Sequence, residues 1–128
     1  MNILVVEDTE AIAHMIEALV RARGYQVTSV GSGPKALEAV VTQTFDVILL
    51  DINLPGGLDG FAICERLRAE PRTKDLPVVF ISALSDEEHK ERAFAVGATA
   101  FYAKPFSPLS LLKEIEALRQ RSIGPRQP

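Results

Sequence analysis

The chain has 128 residues, a hydrophobic fraction of 47% and a formal net charge of −3, a combination typical of one globular domain with a single core. The negative charge argues against direct nucleic-acid binding, because phosphate contacts call for basic surface. No apolar run reaches the roughly 18 residues of a membrane span and no secretory leader is recognisable, so we expect a cytoplasmic protein.

The first half of the chain predicts three strands and two helices. Residues 2–7 form a nearly continuous aliphatic run, as expected of a strand covered on both faces, and residues 26–30 and 45–50 give two further strands. Between the strands lie two amphipathic helices, the first ending at Gly24 and the second with Pro34 in its first turn. The predicted inner residues are Ile12, Met15, Ile16, Leu19 and Val20 in the first helix and Leu37, Val40 and Val41 in the second.

The second half continues the alternation. A helix is predicted over residues 60–69, with Phe61 and Cys64 in its core stripe, and strands follow at residues 77–81 and 99–102. The last helix follows Pro108, and its predicted inner residues are Leu109, Leu112, Ile115 and Leu118. Five strand–helix units predict an α/β fold, a doubly wound parallel sheet with helices on both faces.

The predicted fourth helix differs from the others because residues 86–92 are almost wholly polar. Ser85 is its predicted cap, with Glu88 at capping-box spacing. Little apolar surface is available to anchor this helix, so we expect it to be the most mobile of the five.

Charged residues follow three of the predicted strands. Glu7 and Asp8 come at the end of the first strand, Asp51 follows the third and Lys104 the fifth. The carboxyl ends of parallel strands lie along one edge of a sheet, where ligands bind. Because clustered carboxylates repel one another, the pattern predicts an acidic pocket that holds a hard divalent cation beside one lysine.

With Ser82 after the fourth strand and Pro105 after Lys104, this set resembles the receiver domain of two-component response regulators, over about residues 2–121. The resemblance implies a flavodoxin-like sheet of five parallel strands in the order 2-1-3-4-5. We therefore expect a receiver domain at residues 1–121 and a flexible tail or linker stub at residues 122–128.

Receiver domains are regulatory phosphoacceptors rather than classical enzymes, and the resemblance implies the same partners here. A histidine kinase or histidine phosphotransfer protein would donate the phosphoryl group. A downstream protein would bind the face formed by the fourth helix, fifth strand and fifth helix, and a phosphorylation-dependent homodimer is a further form. No direct nucleic-acid or membrane contact is expected.

The resemblance also assigns the site residues. Asp51 would be the phosphoacceptor, and Lys104 would contact the phosphoryl oxygens. Asp8 would bind Mg²⁺ or Mn²⁺ directly and Glu7 through water, while the backbone carbonyl of Asn53 would complete the metal site; such hard cations prefer oxygen ligands. No organic cofactor is expected.

Two further positions resemble the family's switch. Ser82 matches the hydroxyl that hydrogen-bonds the attached phosphoryl group, and Phe101 matches the aromatic residue that turns inward in response. In the family the Lys104–Pro105 bond is cis, an isomer that proline permits.

The sequence departs from the family pattern in the loop after the third strand. This loop is one residue longer than the usual spacing, and we expect Gly56 and Gly57 to absorb the extra residue in a turn with positive φ. Asn53 and Leu84 flank the expected path of a hydrolytic water, and the apolar Leu84 could slow loss of the phosphoryl group.

Two other classes of protein stay open. A Mg²⁺-dependent phosphohydrolase of the haloacid dehalogenase type also uses a strand-end aspartate, but it needs a second aspartate where this chain has Asn53. A flavin or nucleotide binder would need a glycine- or hydroxyl-rich phosphate loop after the first strand. The acidic residues 7–10 would instead repel phosphate.

The remaining candidate groups are expected to be solvated or structural. His14 lies on the polar side of the first helix and His89 on the exposed fourth helix. A small basic cluster is expected to complement a helix C-terminus. It consists of Arg66, Arg68, Arg72 and Lys74.

Overall fold

A computed structural model describes residues 1–123, with side chains described through residue 118. Within this part of the chain, five strands alternate with five helices. The strands are β1 (Asn2–Val6), β2 (Gln26–Val30), β3 (Val47–Leu50), β4 (Val78–Ser82) and β5 (Ala100–Ala103). The helices are α1 (Glu10–Arg21), α2 (Gly33–Thr42), α3 (Gly60–Ala69), α4 (Glu87–Ala95) and α5 (Pro108–Ile123). Of the tail predicted at residues 122–128, the first two residues continue α5, and residues 124–128 lie outside the described residues.

The five strands form one parallel sheet in the order β2-β1-β3-β4-β5. The predicted strand order and fold class are therefore confirmed. The order changes direction between β1 and β3, which leaves a crevice at the carboxyl ends of these two central strands. Val6 of β1 is paired with Leu50 of β3, so the residues that follow the two strands emerge side by side at that crevice.

Alternate residues of the central strands supply two apolar layers, one on each face of the sheet. In β1, Leu4 and Val6 join the layer that α2 and α3 cover, whereas Ile3 and Val5 join the layer that α1 and α5 cover. Every residue of β3 is buried for the same reason. Cys64 of α3 lies fully buried in the first layer, as predicted.

Three residues predicted on inner helix faces are exposed instead. The exposed fraction is 41% for Met15, 67% for Val41 and 56% for Leu109. Each lies to one side of the most buried line of its helix, which includes Ala13 in α1 and Ala36 in α2. The assignment of these three apolar residues to the core was wrong.

The boundaries of α4 also differ from those predicted. Asp86, not Ser85, is the residue that precedes the helix, and the carboxylate of Asp86 contacts Nδ1 of His89 rather than capping a backbone amide. The predicted capping role of Ser85 was therefore wrong. β4 and β5 begin and end one residue later than predicted, which makes Ser82 the last residue of its strand.

Candidate functional site

Asp51 and Lys104 lie at the carboxyl edge of the sheet, where the strand hydrogen bonds continue for one residue past the strands. The amide of Asp51 donates to the carbonyl of Val6, 3.1 Å away, which fixes the backbone of the aspartate beside β1. The amide of Lys104 donates to the carbonyl of Ser82 over 2.9 Å. These bonds set the positions of both charged residues before any side-chain contact is considered.

The ammonium group of Lys104 bridges two buried carboxylates. Its Nζ atom lies 2.8 Å from Oε1 of Glu7 and 3.0 Å from Oδ2 of Asp51. Glu7 and Asp51 are each only 6% exposed, so the lysine partly neutralises two acids that water barely reaches. The predicted gathering of carboxylates and one lysine is present.

Burial and neighbouring charges shift the pKa values of Asp51 and Lys104. Burial raises the pKa of Asp51 and the charge of Glu7 adds to this effect, although the hydrogen bond from Lys104 opposes it. Burial alone would lower the pKa of Lys104, but its hydrogen bonds to Glu7 and Asp51 outweigh that effect and raise the pKa. The lysine therefore carries a positive charge at neutral pH.

The acidic cluster fits a small hard cation. Glu7, Asp8 and Asp51 each offer a carboxylate oxygen, and the three oxygens lie within 4.8 Å of one another. Octahedral Mg²⁺ has ligands at about 2.1 Å and hence up to about 4.2 Å apart, so small side-chain adjustments would suffice. Asp8 is exposed, which leaves room for the waters that Mg²⁺ retains.

Glu7 already has partners for both of its carboxylate oxygens. Oε1 contacts Lys104, and Oε2 accepts a hydrogen bond from the amide of Thr9 at 3.1 Å. Asp8 is therefore better disposed than Glu7 to bind a metal directly. Asn53 is exposed in the loop that follows β3, and the role of its carbonyl stays a prediction.

Ser82 and Phe101 lie on the two neighbouring strands at the far side of the site. Ser82 is 1% exposed, and its Oγ atom accepts a hydrogen bond from the amide of Leu84 at 3.0 Å. Phe101 is half-buried, and its ring lies parallel to that of Phe80 with the centroids 6.4 Å apart. The serine can still donate its own hydroxyl proton, because this contact uses only its lone pair.

The loop between β3 and α3 adopts the geometry predicted for it. Gly56 and Gly57 have φ values of 93° and 84°. After β5, the Lys104–Pro105 bond is cis, as the resemblance implied. The sequence interpretation did not single out Gly60, where a Cβ atom would lie 2.3 Å from the carbonyl oxygen of Asp51. A glycine is therefore needed at the start of α3 for the helix to approach the site so closely.

The sheet order and the strand-end residues together define the receiver class of α/β signalling domains. The family model described as the response regulator receiver domain matches residues 3–116. The chain belongs to this family.

Individual relatives agree with this assignment. The chain is 37% identical over 117 residues to response regulator PleD of Caulobacter vibrioides, a match that covers 91% of this chain and 26% of that protein. It is 42% identical over 120 residues to transcriptional activator protein PfeR of Pseudomonas aeruginosa, covering 94% of this chain and 38% of that protein. The chain thus spans only a quarter to two-fifths of the length of these relatives.

A solved structure extends the similarity to the fold. The receiver domain of sensor histidine kinase PA1611 from Pseudomonas aeruginosa, which holds a magnesium ion in its active-site cleft, matches with a TM-score of 0.82 and 34% identity. That match covers 97% of this chain and 98% of the other. No helix in the described part of this chain is both long enough and apolar enough to cross a membrane.

Proposed function

We propose that Asp51 accepts a phosphoryl group from a phosphohistidine of a sensor kinase or phosphotransfer protein. An Oδ atom of Asp51 attacks the phosphorus, the P–N bond breaks, its electron pair passes to the imidazole, and an acyl phosphate remains on the aspartate. The observation that carries the proposal is the position of the Asp51 carboxylate, buried at the end of β3 and 3.0 Å from the ammonium of Lys104. This is where a phosphoryl group needs neutralisation of charge.

Within this proposal the other charged residues divide the work. Lys104 exchanges a carboxylate oxygen for a phosphoryl oxygen and stabilises the charge of the transferred group. Asp8 would hold Mg²⁺ or Mn²⁺ directly, Glu7 would act through water, and the backbone carbonyl of Asn53 would complete the set. The magnesium ion in the active-site cleft of the similar PA1611 domain supports a metal in this proposal. The bound cation would supply further neutralisation of the phosphoryl oxygens.

Ser82 would convert the modification into a change of shape. Its hydroxyl would donate to a phosphoryl oxygen, which weakens the contact it now makes with the amide of Leu84. Phe101 would then move further inward and shift the equilibrium of the α4–β5–α5 face, where a downstream protein or a second copy would bind. A water molecule that enters past Asn53 and Leu84 would hydrolyse the acyl phosphate. This hydrolysis would return the domain to its unphosphorylated state.

The relatives are longer and include a transcriptional activator, so the described domain would regulate either an attached segment or a separate protein. We expect the phosphoryl transfer to take place in the cytoplasm, where ATP is available to phosphorylate a histidine kinase.

Intact mass spectrometry after incubation with acetyl phosphate and Mg²⁺ tests the proposal. One added phosphoryl group is expected, and it should be absent with EDTA and absent in Asp51→Ala. Asp75→Ala, which removes an exposed carboxylate far from the site, is the matched control and should still be modified. An unmodified wild-type protein, or an adduct that persists in Asp51→Ala, would overturn the proposal.

A further inference from the structure

Helix α4 is held on the domain with almost no apolar contact of its own. Ala93 is its one buried residue among the nine of Glu87–Ala95, and Phe94 is 51% exposed. A helix of this composition needs another source of attachment, because burial of an amphipathic face is what usually stabilises a surface helix.

The middle of α4 contacts the ring of Phe61 on α3. Phe61 is only 2% exposed, and the guanidinium carbon of Arg92 lies 4.3 Å from the centroid of its ring. The ring of His89 stacks on the same phenylalanine at 6.3 Å with an interplanar angle of 21°. His89 and Arg92 are three residues apart and so project from one side of α4. Both side chains therefore lie against the same buried ring.

The two ends of α4 are fixed very differently. After the helix, the carbonyl of Gly97 accepts two hydrogen bonds from Arg68, of 2.7 and 3.1 Å, and the carbonyl of Val96 accepts one from the thiol of Cys64. Among the described residues, the side chains of the first turn make only one hydrogen bond, the local contact between Asp86 and His89. Movement of α4 would therefore pivot about its C-terminal end and begin at its N-terminal end.

Phe61 is also one end of a row of three rings that reaches β5. Its centroid lies 5.8 Å from that of Phe80, and Phe80 lies 6.4 Å from Phe101. Contacts at these separations are those of interacting aromatic pairs. Packed rings cannot shift independently in a close-packed interior. A displacement of Phe101 would therefore displace Phe80 and then Phe61.

We propose that Phe61 is a positioning residue for α4, and that the row Phe101, Phe80, Phe61 transmits the position of Phe101 to Arg92 and His89. The helix then has two arrangements, with Arg92 either docked on the ring of Phe61 or released from it. This inference deepens the proposed function, since the α4 face is the surface that phosphorylation would switch. Its physical basis is nevertheless present in the unphosphorylated protein, where it can be tested alone.

The first test measures amide hydrogen exchange of residues 87–95 in the unphosphorylated protein. Phe61→Leu, which keeps apolar volume but removes the ring face, and Arg92→Gln, which removes the cation, should each speed exchange about threefold to tenfold. The double variant should be no faster than the faster single variant, because both substitutions remove one shared contact. Arg92→Lys should retain most of the protection.

Controls separate docking from a general loss of stability. Glu91→Gln, an exposed neighbour on the same helix, should leave exchange unchanged, and amides of α1 should exchange at the wild-type rate in every variant. Additive effects of Phe61→Leu and Arg92→Gln, or equal acceleration in α1, would show that Phe61 is ordinary core and would overturn the docking role.

The second test addresses transmission along the row. Phe101→Leu should change α4 exchange in the wild-type background and have no further effect in Phe61→Leu. An equal effect in both backgrounds would overturn transmission. Neither test requires phosphoryl transfer, so failure of the inference and failure of Asp51 to accept a phosphoryl group give distinguishable results.

Discussion

The ammonium nitrogen of Lys104 lies 2.8 Å from Oε1 of Glu7, so the lysine contacts an acid of the proposed metal site as closely as it contacts Asp51, the proposed phosphoacceptor. Each carboxylate is nearly inaccessible to water, and each depends on the same cation. In the unphosphorylated protein Lys104 therefore offsets the repulsion between these buried carboxylates, in addition to its proposed role in phosphoryl transfer.

Lys104→Met should accordingly destabilise the domain. The substitution keeps the length of the side chain but leaves Glu7 and Asp51 buried without their shared cation, and we expect a loss of about 2–3 kcal/mol in the free energy of unfolding. Urea unfolding in EDTA measures the effect. Lys35→Met, on the exposed side of α2, is the matched control and should stay within about 0.5 kcal/mol of wild type.

Removal of the divalent cation should lower stability in a way that depends on Asp8. At a Mg²⁺ concentration about ten times its dissociation constant, binding to the folded state alone adds about 1.4 kcal/mol. Asp8→Asn should abolish most of this gain, whereas Glu10→Gln, a nearby exposed acid at the start of α1, should preserve it. Thermal unfolding with Mg²⁺ and with EDTA gives the comparison, and an equal Mg²⁺ response in both variants would contradict the assignment of Asp8.

The pH dependence of stability should carry the signature of Asp51. Because burial raises its pKa above the usual 3.8, the folded protein holds this proton more tightly than the unfolded chain. In EDTA, the contribution of Asp51 to stability therefore falls as the pH rises from about 3.8 through the raised pKa and is constant above it.

Asp51→Asn removes that unfavourable contribution. The variant should be more stable than wild type by roughly 1 kcal/mol at neutral pH, with a difference that shrinks towards acid pH. Urea unfolding at a series of pH values measures it. A difference that grew as the pH fell would mean that the pairing with Lys104, and not burial, dominates the carboxyl group.

Strand-end chemistry was the part of the site most open to prediction. Parallel pairing puts the residues that follow β1, β3 and β5 on one edge, so Asp51 and Lys104 could be placed together from the strand pattern alone. The pairing of Lys104 with Glu7 was missed because a strand pattern fixes backbone positions, not which of several nearby carboxylates a flexible side chain selects.

Helix faces were predicted less well at their margins. Apolar side chains such as Val41 lie 100° around the helix from a buried neighbour, and whether the sheet covers them depends on helix tilt, which local spacing does not determine. The stacking of Phe61 with Arg92 was missed for a related reason. Both residues fit their own local pattern, as core and as solvated face, and only the packing of α4 on α3 brings them together.

Arg68 is the clearest structural residue within the basic cluster, which was expected only to complement a helix C-terminus. Its guanidinium donates to backbone carbonyls after α4 and in the loop between α3 and β4. These carbonyls belong to Gly97, Thr73, Lys74 and Leu76. One side chain thus donates hydrogen bonds to several backbone carbonyls that lie outside helices and strands.

Arg68→Ala should therefore lower the free energy of unfolding by about 2–3 kcal/mol, because several partly buried carbonyls would lose a charged donor at once. Arg66→Ala, on the exposed side of the same helix, is the matched control and should change it by no more than about 0.5 kcal/mol. Arg68→Lys should recover little of the loss, since a single ammonium cannot span carbonyls that the planar guanidinium reaches from both of its edges. Guanidinium chloride unfolding of the three variants measures these differences, and a wild-type stability for Arg68→Ala would show that water replaces the guanidinium without cost.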